Sequence, residues 1–190
     1  RLAAFCQTAL EKTQAEAWLF WDSGLGDPPA EEVIQLLQSQ DDLWHAGLTL
    51  GTSGKPGLID FVTPTTMWNR DPNMVQQAAS WRISLRACLV RVDVVRQIGF
   101  IDSDFETLDG AALEWGYRCI THGVFCRQHP SLVQFPLPVE VLIPPSDELL
   151  FVRHRFGIRW ARWATLRAVA SGYWNILQAK LAWKRLRAFS

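Results

Sequence analysis

The run Trp18-Leu19-Phe20-Trp21-Asp22 is an apolar stretch that ends in a carboxylate. At the end of a strand, where ligands gather in sheet-based folds, a carboxylate can hold a hard divalent cation against phosphate oxygens. Such an ion keeps several waters and takes one or two protein carboxylates, so Asp22 alone, or Asp22 with Asp27, suffices as a metal site. The competing role is local. Asp22 opens the stretch Ser23-Gly24-Leu25-Gly26-Asp27-Pro28-Pro29, where an Asp also serves as a turn former or helix cap. A second constellation lies at the far end of the chain. Residues 151–190 hold nine Lys+Arg and no acid, interleaved with Trp160, Trp163, Trp174 and Trp183. Basic residues beside interfacial aromatics on a helix can lie in an anionic membrane surface. The alternative is an amphipathic helix packed on the body with its charges solvated.

The rest of the chain makes that basic segment conspicuous. Residues 1–150 carry ten Lys+Arg against nineteen Asp+Glu, a net −9 that cancels the tail's +9. Such segregation points the tail at an anionic surface: its own body, a phospholipid face or a nucleic acid. The acidic body and the lack of any nucleic-acid motif remove nucleic acid from the expected partners. With 48% hydrophobic and 20% charged residues, the 190-residue chain reads as globular rather than disordered. At this length it buries roughly 70% of its unfolded surface and needs no disulfide. Cys6, Cys88, Cys119 and Cys126 form no CxxC and no close Cys/His pair. Each therefore reads as a small buried hydrophobe in a reduced compartment, and a zinc site is not expected. No run of 18 apolar residues exists to span a membrane, and the first residues lack the basic-then-apolar order of a signal peptide. The expected location is cytoplasmic, with the tail as the means of a peripheral contact at the inner membrane face. The chain starts at Arg1 rather than Met, which suggests a piece of something longer.

The elements that must position these residues follow from apolar spacing and breakers. The pattern predicts a helix over residues 1–17, a strand over 18–21, a turn-rich loop, and a helix over 30–39 with acids in its first turn. Residues 44–61 read as strand, Gly-rich turn and strand, followed by a loop with Pro64 and Pro72. The spacing over 78–95 suits either strand or helix, and Asp93 is placed to cap a short helix ending at Gly99. A helix over 110–122, closed by Gly123, leads to a strand over 124–128. Pro136, Pro138, Pro144 and Pro145 mark a linker, beyond which residues 148–189 read as one or two long helices. Alternating helices and strands imply an α/β domain whose helices cover a mostly parallel sheet, over residues 1–145, with a basic helical tail at 146–190.

Over roughly residues 15–135 this order resembles the family 2 glycosyltransferases, nucleotide-sugar enzymes of the GT-A fold. WLFWDSGLGDPPAEEVIQLL is similar to the family's apolar strand ending in Asp-x-Asp, with Asp22 at the first Asp and Gly24 at the second. SWRISLRACLVRVDVVRQIGFIDSDF resembles the stretch in which a strand ending in Arg is followed by a short helix, Gly and an acidic loop closing in Phe. LDGAALEWGYRCITHGVFCRQHP resembles the acidic helix that follows, with its Arg-containing turn, Gly, strand and Pro. In the family a Glu-Asp pair opens that helix and supplies the base that deprotonates the acceptor hydroxyl. Ala111 and Ala112 stand at the pair's positions here, which leaves Glu114 or Asp109 as the base.

The resemblance implies an inverting transfer of a sugar from a nucleotide-sugar donor to a hydroxyl of a glycan or lipid-linked acceptor. Asp22 would hold a divalent cation, Mg or Mn. Arg82, Arg86 and Arg118 would contact diphosphate or an anionic acceptor, a guanidinium fork being suited to phosphate; their other role is an ordinary salt bridge. Trp81, Trp68 and Trp115 would offer a platform for a sugar ring, or simply fill the core. His129 and His154 read as ordinary polar residues unless one completes the metal shell. The family begins with a strand and loop that hold base and ribose, and no counterpart precedes Leu2, so the alternative expectation is a degenerate, non-catalytic module that binds a glycan, a membrane surface or a partner protein. An interaction domain unrelated to sugars is the third class.

Overall fold

A computed structural model describes residues 2–46, 58–59, 77–133 and 143–188. The expected Gly-rich turn at residues 52–57 and the features at Pro64, Trp68, Pro72, Pro136 and Pro138 lie outside those residues. Helix α1 spans Leu2–Lys12, strand β1 Ala17–Trp21, α2 Ala30–Leu37 and β2 Leu43–His45. After them come β3 (Ala78–Ala79), β4 (Ala87–Arg91), α3 (Val92–Ile98), α4 (Leu108–Thr121) and β5 (Cys126–Gln128). The chain ends in α5 (Pro145–Phe156), α6 (Ile158–Ala170) and α7 (Ile176–Ala188).

The fold is mixed α/β: a five-stranded sheet in the order β1-β4-β2-β5-β3, flanked by helices. The expected mostly parallel sheet is not what forms among the described residues. Only β2 and β5 pair parallel, while β1–β4, β2–β4 and β3–β5 are antiparallel. The β1-α2-β2 crossover does set β1 and β2 in the same direction, as a strand-helix-strand unit should, but β4 lies between them and runs the other way. The segment whose spacing was ambiguous thus becomes the middle strand of the β1-β4-β2 trio.

Side-chain alternation along β4 divides the core. Cys88 and Val90 face a layer containing Val94 and Val95 of α3 and Ala112, Trp115 and Cys119 of α4. Ala87 and Leu89 face the other layer, with Leu36 of α2, Trp44 and Leu132. All four cysteines are buried free thiols, as the sequence suggested. Burial pushes the Cys88 thiol up, and a hydrogen bond with Cys119 together with burial does the same for Cys126.

A third buried cluster joins body and tail: Trp81, Phe105, Leu113 and Tyr117 pack with Leu149 and Phe151 of α5 and with alanines of α6 and α7. The tail forms three helices rather than one or two, because the chain breaks at Gly157 (φ 87°) and Gly172 (φ 72°), a conformation that side chains disfavour. Among the described residues, no helix is long and apolar enough to cross a membrane.

Candidate functional site

The amide of Asp22, just past β1, donates to the carbonyl of Arg86, the residue before β4 (2.7 Å). This antiparallel pairing places the loop after β1 beside the entry to β4. One oxygen of the Asp22 carboxylate accepts the Gly24 amide (2.9 Å) and so closes the short turn Ser23–Leu25. The local role read from the sequence is therefore real, and it leaves the second carboxylate oxygen for another partner.

Arg86 extends the site across to α4. Its guanidinium Nη2 reaches Asp109 Oδ2 at 3.5 Å, with the Arg86 side chain 31% and the Asp109 side chain 14% exposed. Asp109 sits in the first turn of α4, where the helix amides favour a negative charge. That turn is built by a relay: the Gly110 amide donates to Thr107 Oγ1 (3.0 Å), and the Thr107 hydroxyl donates to Asp147 Oδ2 (2.6 Å). Asp147 also accepts the amides of Glu106 (2.8 Å) and Thr107 (2.9 Å). Burial raises the Asp147 carboxyl, and these hydrogen bonds oppose the rise. Gly110 is required here, since a Cβ would lie 2.6 Å from Asp147 Oδ2.

Asp22, Arg86 and Asp109 are thus brought to one edge of the sheet from segments 87 residues apart in sequence. The other expected site residues lie elsewhere. Glu114 is buried at 1% exposure, with Arg118 Nη2 at 3.3 Å from one oxygen and Arg155 Nη2 at 2.9 Å from the other. Arg118 also donates to the carbonyls of Ile98 (2.9 Å) and Phe100 (2.6 Å), which ties the end of α3 to α4. Trp81 is buried between Tyr117 and Phe151, edge-on to the first and stacked with the second. Arg82 is buried, its guanidinium 5.5 Å above the Trp81 ring. Trp115 is buried and donates its indole N–H to the Gly99 carbonyl (2.8 Å). These rings fill the core and offer no platform to a ligand.

No family model, curated protein or solved structure matches this chain.

The role of Asp147 and the partners of His129 were not read from the sequence. Asp147, beyond the Pro-rich linker, anchors the turn that carries Asp109; its signal was the acid in Pro144-Pro145-Ser146-Asp147, in the first turn of a helix opened by proline. His129, just after β5, has Ser131 Oγ at 2.5 Å from Nδ1 and Glu32 at 3.5 Å, and the Ser131 hydroxyl donates to Glu32. Burial lowers the His129 pKa, and Glu32 acts against that fall. Both Ser131 and Glu32 meet the same ring nitrogen, so the trio is not ordered as nucleophile, base and orienting acid. His154 pairs instead with Asp102 (3.4 Å). Among the described residues no three His, Cys, Asp or Glu side chains cluster to hold a metal.

Proposed function

We propose that this chain is a GT-A-like glycosyltransferase domain, which transfers a sugar with inversion from a nucleotide-sugar donor to a hydroxyl of a glycan or lipid-linked acceptor. The observation that carries the reading is the Asp22–Arg86–Asp109 edge, where the Asp22 backbone pairs with that of Arg86 and the Arg86 guanidinium meets the Asp109 carboxylate, which supports a reading with a carboxylate for a cation, a guanidinium for phosphate and a second carboxylate for a proton. The resemblance over residues 15–135 supplies the reaction class.

The residues then divide the work. Asp109, partly open to solvent at the start of α4, accepts the proton of the acceptor hydroxyl, a contribution of about 10² to 10⁴ in rate. Arg86 bridges from Asp109 toward the leaving diphosphate and offsets its charge. Asp22, with one oxygen held by Gly24, is the residue that would hold a divalent cation through its other oxygen. When bound there, Mg or Mn would supply further positive charge to the departing diphosphate. Glu114, enclosed by two guanidinium groups, holds α4 and α5 together, and the base is assigned to Asp109.

A second reading rests on a separate observation. Ala111 and Ala112, at the positions of the family's acidic pair, are buried, as in a non-catalytic member that keeps the fold to bind a glycan, a membrane or a partner. Calorimetric titration of UDP, GDP and dTDP, with and without manganese, decides between the two. Metal-dependent binding that Asp22→Ala weakens, with turnover abolished in Asp109→Asn while donor binding stays, supports the enzyme. No binding of any nucleotide favours the binding module.

A further inference from the structure

The last two helices invert the usual distribution of apolar residues. Helix α6 buries Ala161, Ala164 and Ala168 against the body, and α7 buries Ala179 and Ala182. Leu186 of α7 is buried with them, but most of their large apolar side chains point outward: Trp160 is 48%, Leu166 72%, Ile176 64%, Leu177 65% and Leu181 58% exposed. A soluble surface rarely gathers such residues on one face without a use for them.

Arg185 of α7 reaches Glu106 of the body (2.6 Å), but other basic residues on the same helices have no such partner. Arg159, Arg162, Lys180, Lys184 and Arg187 form no ion pair among the described residues. Two concavities organise them. A notch of about 470 Å³ between α5, α6 and α7 is lined by Arg153, Arg162 and Arg187 with Ile158, Trp183 and Leu186. Beside it, a groove of about 690 Å³ between α6 and α7 is lined by apolar side chains such as Leu166, Val169 and Ile176, with Lys180 and Lys184 at its margin. Trp183 and Arg187 line both, so a cationic recess and an apolar groove adjoin across one tryptophan. Trp183 is fixed there by its indole N–H, which donates to Thr165 Oγ1 (3.0 Å).

We propose that the α6–α7 face docks on an anionic phospholipid bilayer, with a lipid phosphate seated in the arginine notch and the exposed apolar side chains entering the acyl boundary. Charge complementarity selects this occupant. The face is basic and apolar together, which matches a phospholipid surface, whereas a soluble polyanion would leave the leucines and tryptophan in water. The docking leaves the apolar side of α5 in the core of the body, and α5 adds only Arg153 to the notch, so the contact is carried mainly by α6 and α7 and not by the whole basic segment.

Sedimentation with vesicles of phosphatidylcholine alone, and of phosphatidylcholine with one-third phosphatidylglycerol, tests the proposal. Binding is expected only with the anionic lipid at low salt. Replacing Arg162 and Arg187 together by Gln should weaken it about thirtyfold, each surface cation being worth roughly a factor of five. Leu177→Asn with Leu181→Asn should weaken binding while leaving its salt dependence in place. All four positions are exposed, so circular dichroism and thermal midpoint should stay those of the parent chain. No binding to the anionic vesicles, binding undiminished in both variants, or binding to single-stranded RNA in place of vesicles overturns it. Nucleotide titration reads the sheet-edge site separately, so either idea can fail without the other.

Discussion

His45 carries its imidazole into the core without charge. It is fully buried, with Nε2 3.3 Å from the Ser80 carbonyl, and burial lowers its pKa from 6.5 to about 4. Below pH 6.5 the unfolded chain takes up a proton that the folded chain refuses, so stability is whole above that pH and is lost as pH falls toward 4. The span corresponds to about 3 kcal/mol. Urea midpoints measured from pH 7 to pH 4 should fall less steeply in His45→Gln than in the parent, and equal slopes would assign the acid sensitivity to other groups. Gly116 makes a steric demand of a different kind. A Cβ there would overlap the Trp81 carbonyl and lie 2.9 Å from Ile83 Cγ1. Gly116→Ala should therefore cost about 3 kcal/mol, despite the better helix propensity of alanine. A thermal midpoint equal to the parent's would contradict that crowding. Nothing in the helical spacing of residues 110–122 announced this contact, because it comes from the segment 81–83.

At the scale of elements, the start of α4 depends on α5. Asp147 accepts two amides and a hydroxyl from Glu106 and Thr107, and Thr107 in turn caps α4 through the Gly110 amide. Asp147→Ala leaves these donors without a partner in a partly buried place and should destabilise the protein by about 3 kcal/mol. Asp147→Asn, which keeps an acceptor oxygen, should recover part of the loss, and identical melting of the two variants would rule out the carboxylate as the anchor. The helices and β1 were legible from apolar spacing and from Gly and Pro. The ambiguity over 78–95 was not resolvable locally: β4 is a strand because β1 and β2 both pair with it.

For the whole molecule, the acidic body and basic tail meet at specific points as well as through their common core. Arg155 of α5 reaches Glu114 of α4 (2.9 Å), and Arg185 of α7 reaches Glu106 (2.6 Å). Glu114 is the buried charge shared by Arg118 and Arg155, so Glu114→Gln should lower stability by about 3 kcal/mol, as expected when one partner of a buried pair is removed. Denaturant titration with two-state fitting measures it. A variant of unchanged stability but abolished turnover would return Glu114 to the role of base.

By itself, the sequence determined most of the kinds of element, the burial of the cysteines, the helix ends near Gly99 and Gly123 and the division of charge, because each depends on residues close together in the chain. Asp22 and Asp109 were also visible as acids in their local settings. Only the tertiary structure decided which arginine each acid meets, that Trp81 and Trp115 are core, that β4 separates β1 from β2, and that α6 and α7 turn most of their large apolar residues outward. Those outcomes depend on contacts between segments far apart in sequence, where packing and desolvation, rather than local periodicity, choose the partner.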